Sequence, residues 1–81
     1  MNKISGIVLS KSYYYKTSND NFVINFPFQV DRKVSIYGQV MVQISSPILL
    51  EFKPGKHLTV EGDVFYEKGC RLKVENYQIS L

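Results

Sequence analysis

Eighty-one residues leave room for one domain and one core, small enough that a dimer is a reasonable route to stability. The chain is 44% hydrophobic and 21% charged with a net charge of +3, an ordinary globular balance whose mild positive field suits a polyanion without requiring one. A single cysteine excludes an internal disulfide and suits a reducing cytoplasm, and no run nears the roughly 18 apolar residues of a membrane span. The opening apolar run is interrupted by Ser5, Gly6, Ser10 and Lys11, so no signal peptide is expected.

In chain order, the segment from Lys3 to Tyr15 predicts a first strand. Its facing stays open, because Ile4, Ile7, Val8 and Leu9 are apolar on both parities, and Gly6 predicts a bend or bulge. Thr17-Ser18-Asn19-Asp20 predicts a turn. Phe22, Ile24, Phe26, Phe28 and Val30 then recur at period two, with Asn21, Val23, Asn25, Pro27 and Gln29 between them, which predicts a strand with one buried face. Pro27 cannot donate to a ladder and predicts a bulge or an edge position.

Asp31-Arg32-Lys33 predicts a tight connection to a third strand, with Val34, Ile36, Val40, Val42 and Ile44 inward and Ser35, Tyr37, Gln39, Met41 and Gln43 opposite. Ser45-Ser46-Pro47 ends it, residues 48–53 have room for at most a turn or two of helix, and Pro54-Gly55 leads into the fourth strand. There Leu58, Val60, Val64 and Tyr66 point inward and Thr59, Glu61, Asp63 and Phe65 outward. Glu67-Lys68-Gly69 predicts a hairpin, after which Leu72 and Val74 face in and Arg71, Lys73 and Glu75 face out. Six Tyr and five Phe exceed what so small a core needs, so some rings are expected on the surface.

Five strands in this order predict an all-β fold with little or no helix: a single Greek-key barrel over residues 1–81, of the OB (oligonucleotide-binding) type. Gly38 and Gly62 are expected inside strands where the barrel bends or another backbone comes close. An SH3-like barrel is the competing architecture, for which the first three strands are too long.

Catalysis has little to draw on. His57, the only histidine, is expected as a solvated residue beside a basic turn, and Cys70 as a small buried residue at the start of a strand. One His and one Cys cannot make a four-ligand zinc site, Glu61 and Asp63 have no further acid or histidine to join them, and there is no Gly-rich phosphate loop. No enzyme activity, metal or cofactor is expected.

Binding has more. Tyr37 and Met41, on the outward face of the third strand with Gln39 and Gln43, suit a platform on which a base stacks; the alternative is a ring packed under a loop or a partner subunit. Tyr13-Tyr14-Tyr15, bracketed by Lys11 and Lys16, interleaves rings with cations as a stacked strand requires, unless alternate tyrosines only cover the barrel end. Lys68, Arg71 and Lys73 surround the last hairpin, with Phe65 near its base. These residues fall on the strand and loop surfaces where OB barrels hold oligonucleotides.

The order and spacing resemble the bacterial single-stranded-DNA-binding proteins, and more closely their short PriB branch. Ile4-Ser5-Gly6-Ile7-Val8 resembles the opening strand, and Tyr37-Gly38-Gln39-Val40-Met41-Val42 stands in the place of the third strand, where the family usually carries a base-stacking Trp. Pro54-Gly55-Lys56-His57-Leu58-Thr59-Val60-Glu61-Gly62 resembles the family's most recognisable stretch, and residues 74–81 its closing strand. The resemblance implies single-stranded DNA binding in replication or replication restart, a homodimer through the first strand, here Lys3 to Leu9, and contact with a helicase, primase or polymerase. Two features depart from the family. Glu67-Lys68-Gly69 is much shorter than PriB's basic loop, and no acidic tail follows Leu81, as expected for PriB or for a phage, plasmid or mobile-element relative. The competing readings are a structural OB subunit that contacts replication proteins and an RNA-binding OB domain.

Overall fold

The computed structural model describes residues 2–31 and 38–80, and all of the regular structure among them is β. The strands are β1 (Asn2–Val8), β2 (Tyr13–Lys16), β3 (Phe22–Val30), β4 (Gln39–Ser46), β5 (His57–Glu67) and β6 (Arg71–Ser80). β1 and β2 are the two halves of the expected first strand, and both pair antiparallel with β3. The single strand expected from Lys3 to Tyr15 is therefore broken. The chain takes five steps from Val8 to Tyr13 where β3 takes three from Phe28 to Asn25, and the excess loops out over residues 9–12.

The break has a cause in hydrogen bonding. Ser12 N–H donates to Phe52 O at 3.0 Å, and Phe52 N–H donates back to Ser12 Oγ at 2.9 Å. Val8 and Gly55 add two more bonds between this strand and the β4–β5 connection. Pro27 sits opposite the gap, between the β3 residues paired with β2 and those paired with β1, where its missing N–H leaves no rung empty.

The sheet closes on itself in the order β1–β5–β6–β4–β3–β1, with β2 continuing beside β3. Every pairing is antiparallel except β4 with β6. This is a closed five-stranded barrel of the OB type. β3 and β5 run for 9 and 11 residues, long for the SH3-like alternative. The β4–β5 connection, where a turn or two of helix had room, is irregular, and it sends Phe52 into the core instead.

The core holds Val8, Ile24, Phe26, Phe28, Val30, Val40, Val42, Ile44, Phe52, Leu58, Val60 and Val74. The facing of β1 is settled by burial: Ile4, Gly6 and Val8 turn in, while Lys3, Ile7 and Leu9 are exposed. One inward expectation needs correction: Tyr66 is exposed, because the β5–β6 hairpin runs on past the covered part of the barrel, whereas Phe22, Val64 and Leu72 are half-buried and pack against the core. Val34 and Ile36 lie outside the described residues, as do Arg32 and Lys33 of the connection before them.

Other local expectations are also revised. Val23 and Asn25 sit on the outward face of β3 yet are 7% and 4% exposed, because β2 and β4 flank them on both sides. Gly38 precedes β4 rather than lying inside it, at φ 70°. Cys70 is half-buried in the β5–β6 turn at φ 57°, and accepts a 3.8 Å contact from Tyr66 Oη–H. His57 opens β5 and meets Asp31 Oδ2 at 3.1 Å rather than standing free in a loop.

Gly62 behaves as expected of a close approach. Between the pairs Glu61↔Gln78 and Asp63↔Glu75, β6 takes one step more than β5, so Asn76 and Tyr77 bulge opposite Gly62. Asn76 absorbs the kink at φ 51°, and a Cβ on Gly62 would lie 2.7 Å from Glu75 O. The bulge reverses facing along β6: Arg71, Lys73 and Glu75 point outward, while Tyr77 and Ile79 pack against the core.

Candidate nucleic-acid interface

Strand register brings several of the expected binding residues into one line. Tyr13 of β2 stands opposite Asn25 of β3, Asn25 opposite Gln43 of β4, Gln43 opposite Lys73 of β6, and Lys73 opposite Phe65 of β5. Asn25, Gln43 and Lys73 lie on the outward parity, because their sequence neighbours Ile24, Phe26, Val42, Ile44 and Val74 fill the core, and Tyr13 and Phe65 share that face as the direct partners of Asn25 and Lys73. At about 4.8 Å per strand, the row from Tyr13 to Phe65 spans about 19 Å. It starts and ends on an exposed ring, Tyr13 at 52% and Phe65 at 50%; between them Gln43 and Lys73 are half-buried and Asn25 is covered.

Parallel rows flank it. On one side Tyr15, 56% exposed, stands opposite Val23, which stands opposite Ser45. On the other, Pro27 faces Met41, Met41 faces Arg71 and Arg71 faces Glu67. Met41 is half-buried; Arg71 is exposed and, among the described residues, in no ion pair. Among the described residues, three grooves open on this face. One of about 350 Å³ lies beside Gln43, Ser45, Lys73, Glu75 and Tyr77, one of about 300 Å³ beside Phe65, Glu67, Lys73 and Glu75, and one of about 230 Å³ beside Leu9, Pro27, Met41 and Cys70.

The remaining candidates sit elsewhere. Tyr14 and Lys16 take the inward parity of β2, at the open end of the barrel. There Tyr14 meets the Phe22 ring edge-on at 5.7 Å, and Lys16 lies 5.9 Å above the same ring and 3.6 Å from Asp20. The tyrosine run thus divides its labour: Tyr14 covers the barrel end while Tyr13 and Tyr15 present their rings outward. Lys11 lies in the β1–β2 break, 3.9 Å from Glu51. Lys68 is exposed at the tip of the β5–β6 turn, beyond the end of the lower row. Tyr37 lies outside the described residues.

Asn25, Glu67 and Glu75 belong to this face and were not singled out from the sequence. Alternation reads Asn25 as lying between core positions of its strand, Glu67 as part of a hairpin turn and Glu75 as outward-facing; only the β4–β6 closure places Gln43 beside Lys73 and so joins the two halves of the row. The charge on the face is mixed, with Lys73 Nζ 3.6 Å from Glu75 Oε2. Among the described residues no three His, Cys, Asp or Glu side chains gather as a metal-binding set, and no helix is long and apolar enough to cross a membrane. Comparison with protein-family models, curated proteins and solved structures finds no match.

Proposed function

We propose that this barrel binds single-stranded DNA across the outward face of β2, β3, β4, β6 and β5, by base stacking and phosphate contacts and without catalysis. The row Tyr13–Asn25–Gln43–Lys73–Phe65 carries the reading. Exposed rings are costly on a soluble surface unless something covers them, and bases stack on such rings whatever their sequence. Arg71 and Lys68 lie where a backbone leaving the Phe65 end would run, and Lys73 lies within the row. The resemblance to single-stranded-DNA-binding proteins supports a place in replication or replication restart, beside a helicase, primase or polymerase.

The test divides binding between rings and charges. Tyr13→Ala and Phe65→Ala are each expected to cost about 1–3 kcal/mol of oligonucleotide affinity, roughly five- to a hundredfold, with an unchanged salt dependence. Arg71→Ala is expected to act the other way, reducing the slope of log affinity against log salt by about 0.7 for one phosphate lost. Anisotropy titrations at several salt concentrations read both. Ring variants that bind as tightly as the parent defeat the reading.

Mixed charge favours one second reading, a structural subunit that contacts proteins through the same face. Glu67 and Glu75 offset Arg71 and Lys73, as a complementary protein surface tolerates and a polyphosphate does not. Its mark is a salt slope near zero with oligonucleotides.

A homodimer through the first strand belongs to the same proposal, in narrower form. Gly6–Val8 is already bonded on both edges and Ser5 O accepts from Asp31 N–H, so backbone pairing is left to residues 2–4, with the exposed Ile7 and Leu9 as apolar contacts. Light scattering at micromolar concentration is expected to give twice 9.4 kDa, and a clean monomer rejects the dimer.

A further inference from the structure

We propose that the groove between Phe65 and the Lys73–Glu75 pair selects a guanine base from the bound strand, a selectivity that rests on the single-strand reading above. The groove joins one exposed ring to one ammonium and two carboxylates: Phe65, Lys73, Glu67 and Glu75. Phe65 stands directly across from Lys73, and Glu75 is the diagonal neighbour, within reach of a planar group lying on the ring. Asp63, directly across from Glu75, adds a third carboxylate, and accepts a 2.8 Å bond from Asn76 Nδ2.

That charge pattern decides which part of a nucleotide enters. A phosphate is disfavoured where the groove's two carboxylates, with Asp63 across from Glu75, outnumber its one lysine. A base that donates hydrogen bonds is attracted, so the base goes in and the backbone stays out over Arg71 and Lys68.

The donor pattern then decides which base. A carboxylate accepts two parallel bonds. Guanine alone carries two adjacent donors on its pairing edge, N1–H and N2–H, beside the acceptor O6. Glu75 takes the two donors and Lys73 gives to O6. Adenine and cytosine each offer the carboxylate one donor beside an acceptor lone pair, and thymine one donor between two carbonyls, so each sets an acceptor against the anion. Lys73 Nζ lies 3.6 Å from Glu75 Oε2, which places cation and anion side by side as guanine's O6 and N1–H are. The adjoining groove along Gln43, Ser45 and Tyr77 shares Lys73 and Glu75 and gives the neighbouring nucleotide a place.

The experiment compares a short oligothymidylate with the same strand carrying one central guanine, adenine, cytosine or hypoxanthine. Guanine is expected to tighten binding about five- to a hundredfold over thymine, the worth of one bidentate pair. Hypoxanthine, which lacks the N2 amine, is expected to lose most of that gain. Glu75→Gln is expected to abolish the guanine preference, read as the ratio of guanine-strand to oligothymidylate affinity within the same variant. Free guanosine monophosphate is expected to compete poorly, and competition at the oligonucleotide's own affinity would overturn the placement of the base within a strand. Measurable binding with no guanine preference, or a preference that survives Glu75→Gln, overturns the selectivity alone. Absence of binding to every strand overturns the single-strand reading, and this one with it.

Discussion

Phe52→Ala is expected to remove about 3–5 kcal/mol from a barrel whose whole stability is about 4–12 kcal/mol for its length. Phe52 is 7% exposed, and its ring centroid lies 4.5 Å from that of Phe26. It enters the core from the β4–β5 connection, where no helix packs over the barrel. Its backbone is clamped to Ser12 by a reciprocal pair of hydrogen bonds, so the segment cannot slide in to fill the space the ring leaves. Loss of transfer energy and a persistent cavity therefore add. In urea, with a slope of about 1 kcal/mol/M for so small a domain, the midpoint is expected to fall by about 3 M or more. Phe52→Leu keeps most of the volume and is expected to cost much less. A midpoint within about 1 M of the parent for Phe52→Ala would show that the ring is not the plug.

Phe52 also marks a limit of what the chain discloses when read alone. It stands between Glu51 and Lys53 in a segment bracketed by Pro47 and Pro54, where Ile48, Leu49 and Leu50 are apolar in succession, so it lacks alternating neighbours on both sides to give it a face. Ile24, Phe26 and Phe28 have such neighbours, and their burial follows from period two without any knowledge of partners. The same rule places Lys73 and Phe65 outward. It cannot place Gln43 beside Lys73, because that neighbour relation comes from the parallel β4–β6 closure, a long-range pairing with no local signal. It also fails where a strand changes parity: the bulge at Asn76 turns Tyr77 and Ile79 inward, and nothing in Glu-Asn-Tyr announces it. Rings and cations suitable for a strand were thus legible residue by residue, and their assembly into one row was not.

Gly6→Ala is expected to cost about 3 kcal/mol or more, the upper part of the range for overpacking. Gly6 is paired on both edges, with Val30 of β3 and Leu58 of β5, where β1 crosses between the two strands and closes the barrel. A Cβ there would occupy the position of Gln29 O and come within 3.0 Å of the Phe28 ring. The obstacle is backbone already held in a ladder, and moving it means opening the β1–β3 pairing. Shifting β1 instead strains Gly6↔Leu58 on the other side, so neither direction offers relief. Gly55→Ala separates this steric cost from backbone preference. Gly55 has φ +85° with nothing within 4 Å of its would-be Cβ, so only the left-handed conformation is penalised, at about 1–2 kcal/mol. Urea denaturation of the two variants is expected to rank Gly6→Ala well below Gly55→Ala, with loss of protected amides along β1 and β3 in hydrogen exchange. The reverse ranking would mean that β1 is not held between β3 and β5 at Gly6. The first strand would then be free along more of its length for the pairing between subunits that residues 2–4 alone now offer.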